Sequence, residues 1–248
     1  MKKIIYIFVL IILGTSYIYA ADLSPSAGAG GIIGGFFTRY TLAADGKVNN
    51  DRIKIDANQE ANQFNYGFFA FFDITYGVFS IYFQNGGNNW KESFVIDGLD
   101  NSSKSDGKGW ESVIGLSLLG KYPFYLSEQI TVFPLLGVDY HISLKQQRTQ
   151  PDGWVYDRND GYRERDKNNK AYKLMDWNSC WINIGGGLDY NLTDKLFIRS
   201  KLLYSFRLMT PYEVKNLDMM KTMAGDPKPK LGGLTSGPSV RISAGYRF

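Results

Sequence analysis

The sequence predicts an all-β fold, an eight-stranded antiparallel up-and-down transmembrane β-barrel, and three observations predict it. The last ten residues, 239–248, alternate apolar and polar side chains: Val240, Ile242, Ala244, Tyr246 and Phe248 on one parity, Ser239, Arg241, Ser243 and Arg247 on the other. Successive side chains of a strand point to opposite faces, so one face asks for hydrocarbon and the other for water. A secretory-type N-terminus precedes a chain in which no other stretch approaches the roughly 18 to 20 consecutive apolar residues of a membrane helix. The connections between strand candidates alternate short and long, as tight turns at one rim and extended loops at the other require.

The N-terminus carries Lys2 and Lys3, an apolar run from Ile4 to Leu13, then small and polar residues leading to Ala20 and Ala21. This is the pattern of a secretion signal over residues 1–20, with the barrel domain expected over 21–248. Cys180 is the only cysteine, so an intramolecular disulfide is excluded and a lipid-anchored N-terminus is not expected. The formal charge of +4 falls to +2 once Lys2 and Lys3 leave, too little to argue for nucleic acid as a partner. The 27 Gly, 17 Tyr and 16 Phe carry the message instead: glycine lets strands pack closely, and aromatic rings suit membrane interfaces.

Eight strands follow in order. The first covers Gly30 to Thr41, where Ile32, Ile33, Phe36 and Phe37 fall in pairs and leave the faces ambiguous. The second, Asn65 to Ile74, and the third, Tyr76 to Gln84, are almost contiguous. The fourth, Trp110 to Tyr122, sets Ile114, Leu116 and Leu118 against Glu111, Gly115, Ser117 and Lys121. The fifth, Ile130 to Lys145, points Val132, Leu136, Val138, Tyr140 and Ile142 outward and Thr131, Asp139, His141 and Ser143 inward. The sixth, Ser179 to Asn191, alternates Ile182, Ile184, Leu188 and Tyr190 with Asn183, Gly185, Gly187 and Asp189. The seventh, Leu196 to Leu208, has Ile198, Leu202, Tyr204 and Phe206 outside, with Arg199, Lys201, Ser205 and Arg207 inside. The eighth is the alternating segment at the end.

Short turns join these strands at Asp73 to Tyr76, Pro123 to Glu128 and Leu192 to Lys195. Long connections are expected over Leu42 to Gln63, Asn85 to Lys108, Gln146 to Asn178 and Met209 to Gly237. A soluble barrel or sandwich would need the apolar parity turned inward and gives no reason for all long loops to share one end.

The Tyr246, Arg247, Phe248 ending, with Val240, Ile242 and Ala244 upstream, resembles the closing strand of bacterial outer-membrane barrels, where it is read by the barrel-assembly machinery. The segment Gly185 to Asp194 is similar in style to the same proteins, the small eight-stranded barrels of the OmpA transmembrane domain, OmpX and OmpW type. The resemblance covers nearly the whole mature chain and is one of architecture. It implies the bacterial outer membrane as location and outer-membrane lipid as surroundings. A monomer without cofactor is expected. The long, polar third loop departs from the compact OmpX pattern.

A lumenal charge network is expected from Asp73, Glu111, Lys121, Asp139, His141, Asp189, Arg199, Lys201, Arg207, Arg241 and Arg247, with Lys145 also inward. Facing charges in a narrow barrel pair with one another and fill it, because roughly eight strands enclose only enough room for side chains. The alternative is a narrow porin-like path for small solutes, slightly anion-preferring because bases outnumber acids on inward positions. The His141 and Ser143 pair resembles the His-x-Ser of eight-stranded lipid A deacylases. Parity turns both into the lumen, away from an acyl chain, so no enzyme activity is expected. One His and one Cys argue against a transition-metal site. In the third loop Trp154, Tyr156, Arg158, Tyr162, Arg163 and Arg165 are the expected contact surface for a host or matrix ligand, aromatic and Arg side chains supplying area and hydrogen bonds. Trp90, Trp110, Tyr122, Phe124, Tyr125, Tyr246 and Phe248 are expected at the two membrane interfaces.

Overall fold

The computed structural model describes residues 25–48, 51–97, 101–149, 155–157, 178–208 and 230–248. Among these residues the strands are β1 (Pro25–Val48), β2 (Asp51–Ile74), β3 (Gly77–Asp97), β4 (Asn101–Lys121), β5 (Phe124–Tyr125), β6 (Ile130–Thr149), β7 (Val155–Asp157), β8 (Ser179–Asn191), β9 (Leu196–Arg207) and β10 (Lys230–Arg247). Eight of them form one antiparallel ring in the order β1, β2, β3, β4, β6, β8, β9, β10, closed by β10 on β1, while the short β5 and β7 pair with β6. Closure leaves no strand edge at membrane depth, which a spanning sheet requires where no water can satisfy the backbone.

Parity is the reverse of a soluble protein's. Leu202 is 60 % exposed and Phe68 64 %, whereas Arg199 is 1 % and Lys201 0 % exposed. Over the lipid-facing part of the eight ring strands large apolar side chains therefore cover the outside, and charges such as Arg199 and Lys201 are sealed inside. The paired residues of β1 resolve into both faces: Ile32 and Phe36 are buried in the lumen while Ile33 and Phe37 lie outside.

Tight turns gather at the end that holds Pro25 and Phe248, the periplasmic end of such a barrel. Thr75 takes φ 68°, and its N–H is held by Asp73 Oδ1 at 2.9 Å. Leu192 and Thr193 both donate to the Leu196 carbonyl, and the Thr193 hydroxyl accepts from Leu196 N at 2.9 Å. The turn expected at Pro123 to Glu128 holds the two residues of β5, paired to Val132 and Thr131.

At the other end the structure corrects the sequence reading. The segments Leu42 to Gln63 and Asn85 to Lys108 were expected to be loops; instead β1 and β2 stay paired to Val48↔Asp51, and β3 and β4 to Ile96↔Asn101. β2 and β3 remain in register throughout, from Asp73↔Val78 to Lys54↔Asp97. The expected third loop also begins late, since β6 continues to Thr149 and β7 folds back onto it. Pairing persists because the backbone ladder needs only partners, whereas the hydrophobic alternation that marked the strands is needed only where the outer face meets lipid.

Inside the ring, four inward glycines each face an aromatic residue directly across the ladder: Gly28↔Phe71, Gly115↔Tyr82, Gly187↔Phe133 and Gly245↔Phe197. Each ring lies where the glycine has no side chain; a Cβ on Gly115 would fall 1.9 Å from the Tyr82 ring. Gly115→Val is therefore expected to destabilise the barrel by about 1–3 kcal/mol through overpacking. Chemical unfolding in lipid vesicles measures this, and an unchanged midpoint would mean that Tyr82 does not lie over Gly115.

Candidate functional site: the lumen

The lower lumen is an apolar and aromatic fill in which a few ions are embedded. Phe69, Phe71, Phe133, Phe197, Leu119 and Leu203 are buried in one cluster with Val78, Tyr82, Ile32 and Leu135. The sequence reading pictured a mainly polar interior and did not place these rings. Their signal was present: Phe79, Ile81 and Phe83 take the outer face of β3, leaving Val78, Ser80, Tyr82 and Gln84 inward.

Near the periplasmic end Arg199 is the hub. Its Nε and Nη2 bond Asp189 Oδ1 and Oδ2 at 2.6 and 2.7 Å, and its Nη1 reaches Asp73 Oδ2 at 2.5 Å. Lys121 Nζ meets the same Asp73 oxygen at 2.5 Å. The guanidinium also lies over Phe71, Phe133 and Phe197, with centroids 4.9 to 5.2 Å away. A planar, weakly hydrated cation suits this position, since it can fork to a carboxylate and stack on rings together. Asp73 ties this cluster to the β2–β3 turn, because its other oxygen holds Thr75. Arg247 leaves the charge network: it bonds the Asn191 side chain at 2.7 Å and stacks over Phe197.

A second cluster lies one level up. Arg241 Nη2 donates to Asp139 Oδ2 at 2.7 Å, and the Tyr82 hydroxyl donates to the same oxygen at 2.8 Å. The Tyr82 oxygen is also hydrogen-bonded with His141 Nε2 at 2.5 Å. Trp181 is wedged between Phe36 and His141, with centroids 4.5 and 5.1 Å apart. Tyr82, Trp181 and Phe36 were not among the sequence candidates, although they surround His141. Ser143 is buried in the lumen wall.

Beside Trp181 and His141, toward the extracellular end, lies a small chamber lined among others by Gln63, Asn65, Gln84, Glu111, Gln146 and Arg207. Arg207 is hydrogen-bonded to the Tyr40 hydroxyl and stacks over that ring at 5.5 Å. Two expectations need correction here. Lys145 was placed inward, but the register of β4 and β6 shifts between Ser112 and Val113, so that Ser112 faces Lys145 and Glu111 faces Gln146. An extra residue in one strand reverses parity beyond it, which brings Gln146 to the chamber and takes Lys145 off the lumen face. Trp90 was expected at a membrane interface; it is 3 % exposed and inward, its Nε1 donating to the Lys108 carbonyl at 3.4 Å.

The remaining interface aromatics lie outside the barrel. Tyr122 contacts both Tyr76 and Phe124 at the rim of the tight turns, Trp110 meets Tyr66 edge-on, and Tyr246 meets Phe248. Val240, Ile242, Ala244 and Tyr246 face outward on β10, and Phe248, just past its end, is exposed as well. Of the expected contact surface, Trp154, Arg158, Tyr162, Arg163 and Arg165 lie outside the described residues, and Tyr156 is placed only as a backbone partner of Arg148. The described residues contain no group of three or more His, Cys, Asp or Glu able to hold a metal ion.

A closed antiparallel ring with an apolar exterior and an ion-paired, aromatic interior defines the class: this is an integral transmembrane β-barrel protein. Solved barrels to which the chain is similar include the attachment invasion locus protein Ail of Yersinia pestis, solved with the heparin analogue sucrose octasulfate (14 % identity, 91 % of this chain and 100 % of that one, TM-score 0.31). The outer-membrane protein OprG of Pseudomonas aeruginosa is 16 % identical over 92 % of this chain and 99 % of its own, with a TM-score of 0.34. The outer-membrane protease OmpT of Escherichia coli is 8 % identical over 91 % and 97 %, with a TM-score of 0.36. No family model and no curated protein matches the chain.

Proposed function

We propose that this barrel has a structural and surface-interactive role and performs no catalysis. The observation that carries the reading is the continuation of four strands as polar hairpins beyond the lipid-facing belt. On β2 the apolar exterior ends at Phe64, and Asn62, Glu60 and Asn58 follow on the same exposed face. Residues 51–62, at about 3.4 Å each, extend the hairpin by about 40 Å along the strand. On this reading the wall raises the cell-surface face of the barrel above the lipid, and the third loop's Trp154, Tyr156, Arg158, Tyr162, Arg163 and Arg165 supply the contacts to a host or matrix ligand. His141, which would be the base of a His-x-Ser pair, is held by Tyr82 and Trp181 inside the barrel, away from lipid. Monomeric assembly belongs to the same reading, as does insertion by the barrel-assembly machinery through the Val240 to Phe248 face.

The second reading, a narrow path for small solutes, has the extracellular chamber in its favour. Two measurements separate the readings. Displayed on a non-adherent bacterium, the chain is expected to confer binding to immobilised matrix proteins, lost on deletion of 152–170 while the heat-modifiable barrel band remains. In planar bilayers the purified protein is expected to give no reproducible conductance. Steady single-channel currents together with absent binding would overturn the surface reading in favour of transport.

A further inference from the structure

The lumen face of β9 and β10 carries three cations in close succession. Arg199 and Lys201 follow one another on the inward face of β9, and Arg241 stands directly opposite Lys201 across the ladder. Two of the three are matched: Arg199 by Asp73 and Asp189, Arg241 by Asp139. Lys201 is not. It is 0 % exposed, its Nζ has no hydrogen-bond partner, and it lies over the faces of Phe69 and Phe71 at 4.9 and 5.7 Å. Arg241 turns only Nη2 to Asp139, leaving Nε and Nη1 without partners. Ser239 and Ser243, the inward residues on either side of Arg241 along β10, have hydroxyls that are likewise unbonded.

Like charges directly opposite on a ladder repel, and a charge removed from water needs a counter-charge. Every unbonded group on this stretch of β9 and β10 can donate a hydrogen bond, and the set holds one ammonium in excess of the carboxylates that pair with its neighbours. A cluster of unpartnered cationic and hydroxyl donors is the complement of an anion. Ser239 and Ser243 flank Arg241, and Lys201 is fully enclosed, so the complement is small. We propose that the β9–β10 lumen face binds a small monovalent inorganic anion of the halide class between Lys201 and Arg241, occluded inside the barrel. Asp139 Oδ1 is also unbonded, which makes a water linking it to Lys201 the competing occupant.

Crystals of the full mature chain soaked in sodium bromide test the site with the native protein. The expected result is an anomalous bromide peak within hydrogen-bonding distance of Lys201 Nζ and Arg241. Water density there without anomalous signal, or bromide on the outer surface only, overturns the proposal. In solution the midpoint of heat-induced unfolding on detergent gels is expected to be higher in sodium chloride than in sodium gluconate of equal ionic strength. The difference should vanish in Lys201→Met. Equal midpoints of the native chain in the two salts would also overturn the proposal.

Discussion

Replacing Arg199 by Met is expected to lower the stability of the barrel by about 3–5 kcal/mol, the cost of removing one partner from a buried ion pair. The substitution keeps a long side chain among Phe71, Phe133 and Phe197, so the loss is not one of volume. What it removes is the fork to Asp189, which loses both bonds from Arg199, and one of the two cations on Asp73. The penalty is chiefly that of a buried carboxylate left uncompensated, so its removal should recover most of the loss. Arg199→Met with Asp189→Leu is expected to be much more stable than Arg199→Met alone, since an apolar replacement of a whole buried pair is often neutral or better. Arg199→Lys should fall between, because an ammonium cannot fork to both oxygens of Asp189. Urea titration in lipid vesicles, followed by tryptophan fluorescence, gives all three values. A cost below about 1 kcal/mol for Arg199→Met would place the pair in a water-like medium, and the lumen would then be an aqueous path instead of a packed core.

The inward placement of Lys121, Asp189 and Arg199 was legible from parity, because each lies on the face opposite a run of apolar residues, whereas Asp73 shares its face with Phe69 and Phe71 and parity on β2 is silent. The geometry of the network was not legible. Which carboxylate meets which cation depends on strand register, and register is fixed by turns such as Asp73 to Tyr76 together with cross-strand pairs such as Gly187↔Phe133 that no single strand reveals. The glycine-aromatic pairs are the clearest case: Tyr82 and Gly115 lie on different strands, and only the β3–β4 register makes them opposite. The shift near Ser112 explains the misplacement of Lys145 in the same terms, since nothing in the local pattern of β6 marks an extra residue. Trp90 differs, for its inward position follows from continuing the parity of Tyr82 and Gln84. It was missed because the strand was taken to end where the apolar alternation ends.

The extension of β1 to β4 beyond the membrane carries the wider lesson. Hydrophobic periodicity reports the solvent on each face of a strand, and the strand itself only indirectly. Between Phe64 and Ile74 the outer face of β2 meets hydrocarbon and the signal is strong. From Asn62 to Lys54 that face is polar while Ala61, Ala57 and Ile55 take the other parity, so the contrast between the faces reverses, and a search for apolar residues facing outward stops although the ladder goes on. The boundary recognised there was thus the edge of the lipid belt.

A depth-dependent cost for charge on the outer face is the prediction that follows. Leu202→Arg, at the middle of the outward row Leu196, Ile198, Ser200, Leu202, Tyr204 and Phe206, is expected to cost about 2–4 kcal/mol, the value for a basic residue at the bilayer midplane. Leu196→Arg, beside the Leu192 to Lys195 turn, is expected to cost only about 0–1 kcal/mol. Both side chains point away from the lumen and both are more than two-fifths exposed, Leu202 at 60 % and Leu196 at 47 %, so burial within the protein cannot separate them. In a barrel surrounded by water each substitution would fall within about 0.5 kcal/mol, as for ordinary surface changes. Unfolding midpoints of the two variants in vesicles therefore measure the medium around β9. A large penalty at Leu202 with a small one at Leu196 locates the hydrocarbon belt along the strand, whereas two equally small penalties would remove lipid from the outer face altogether.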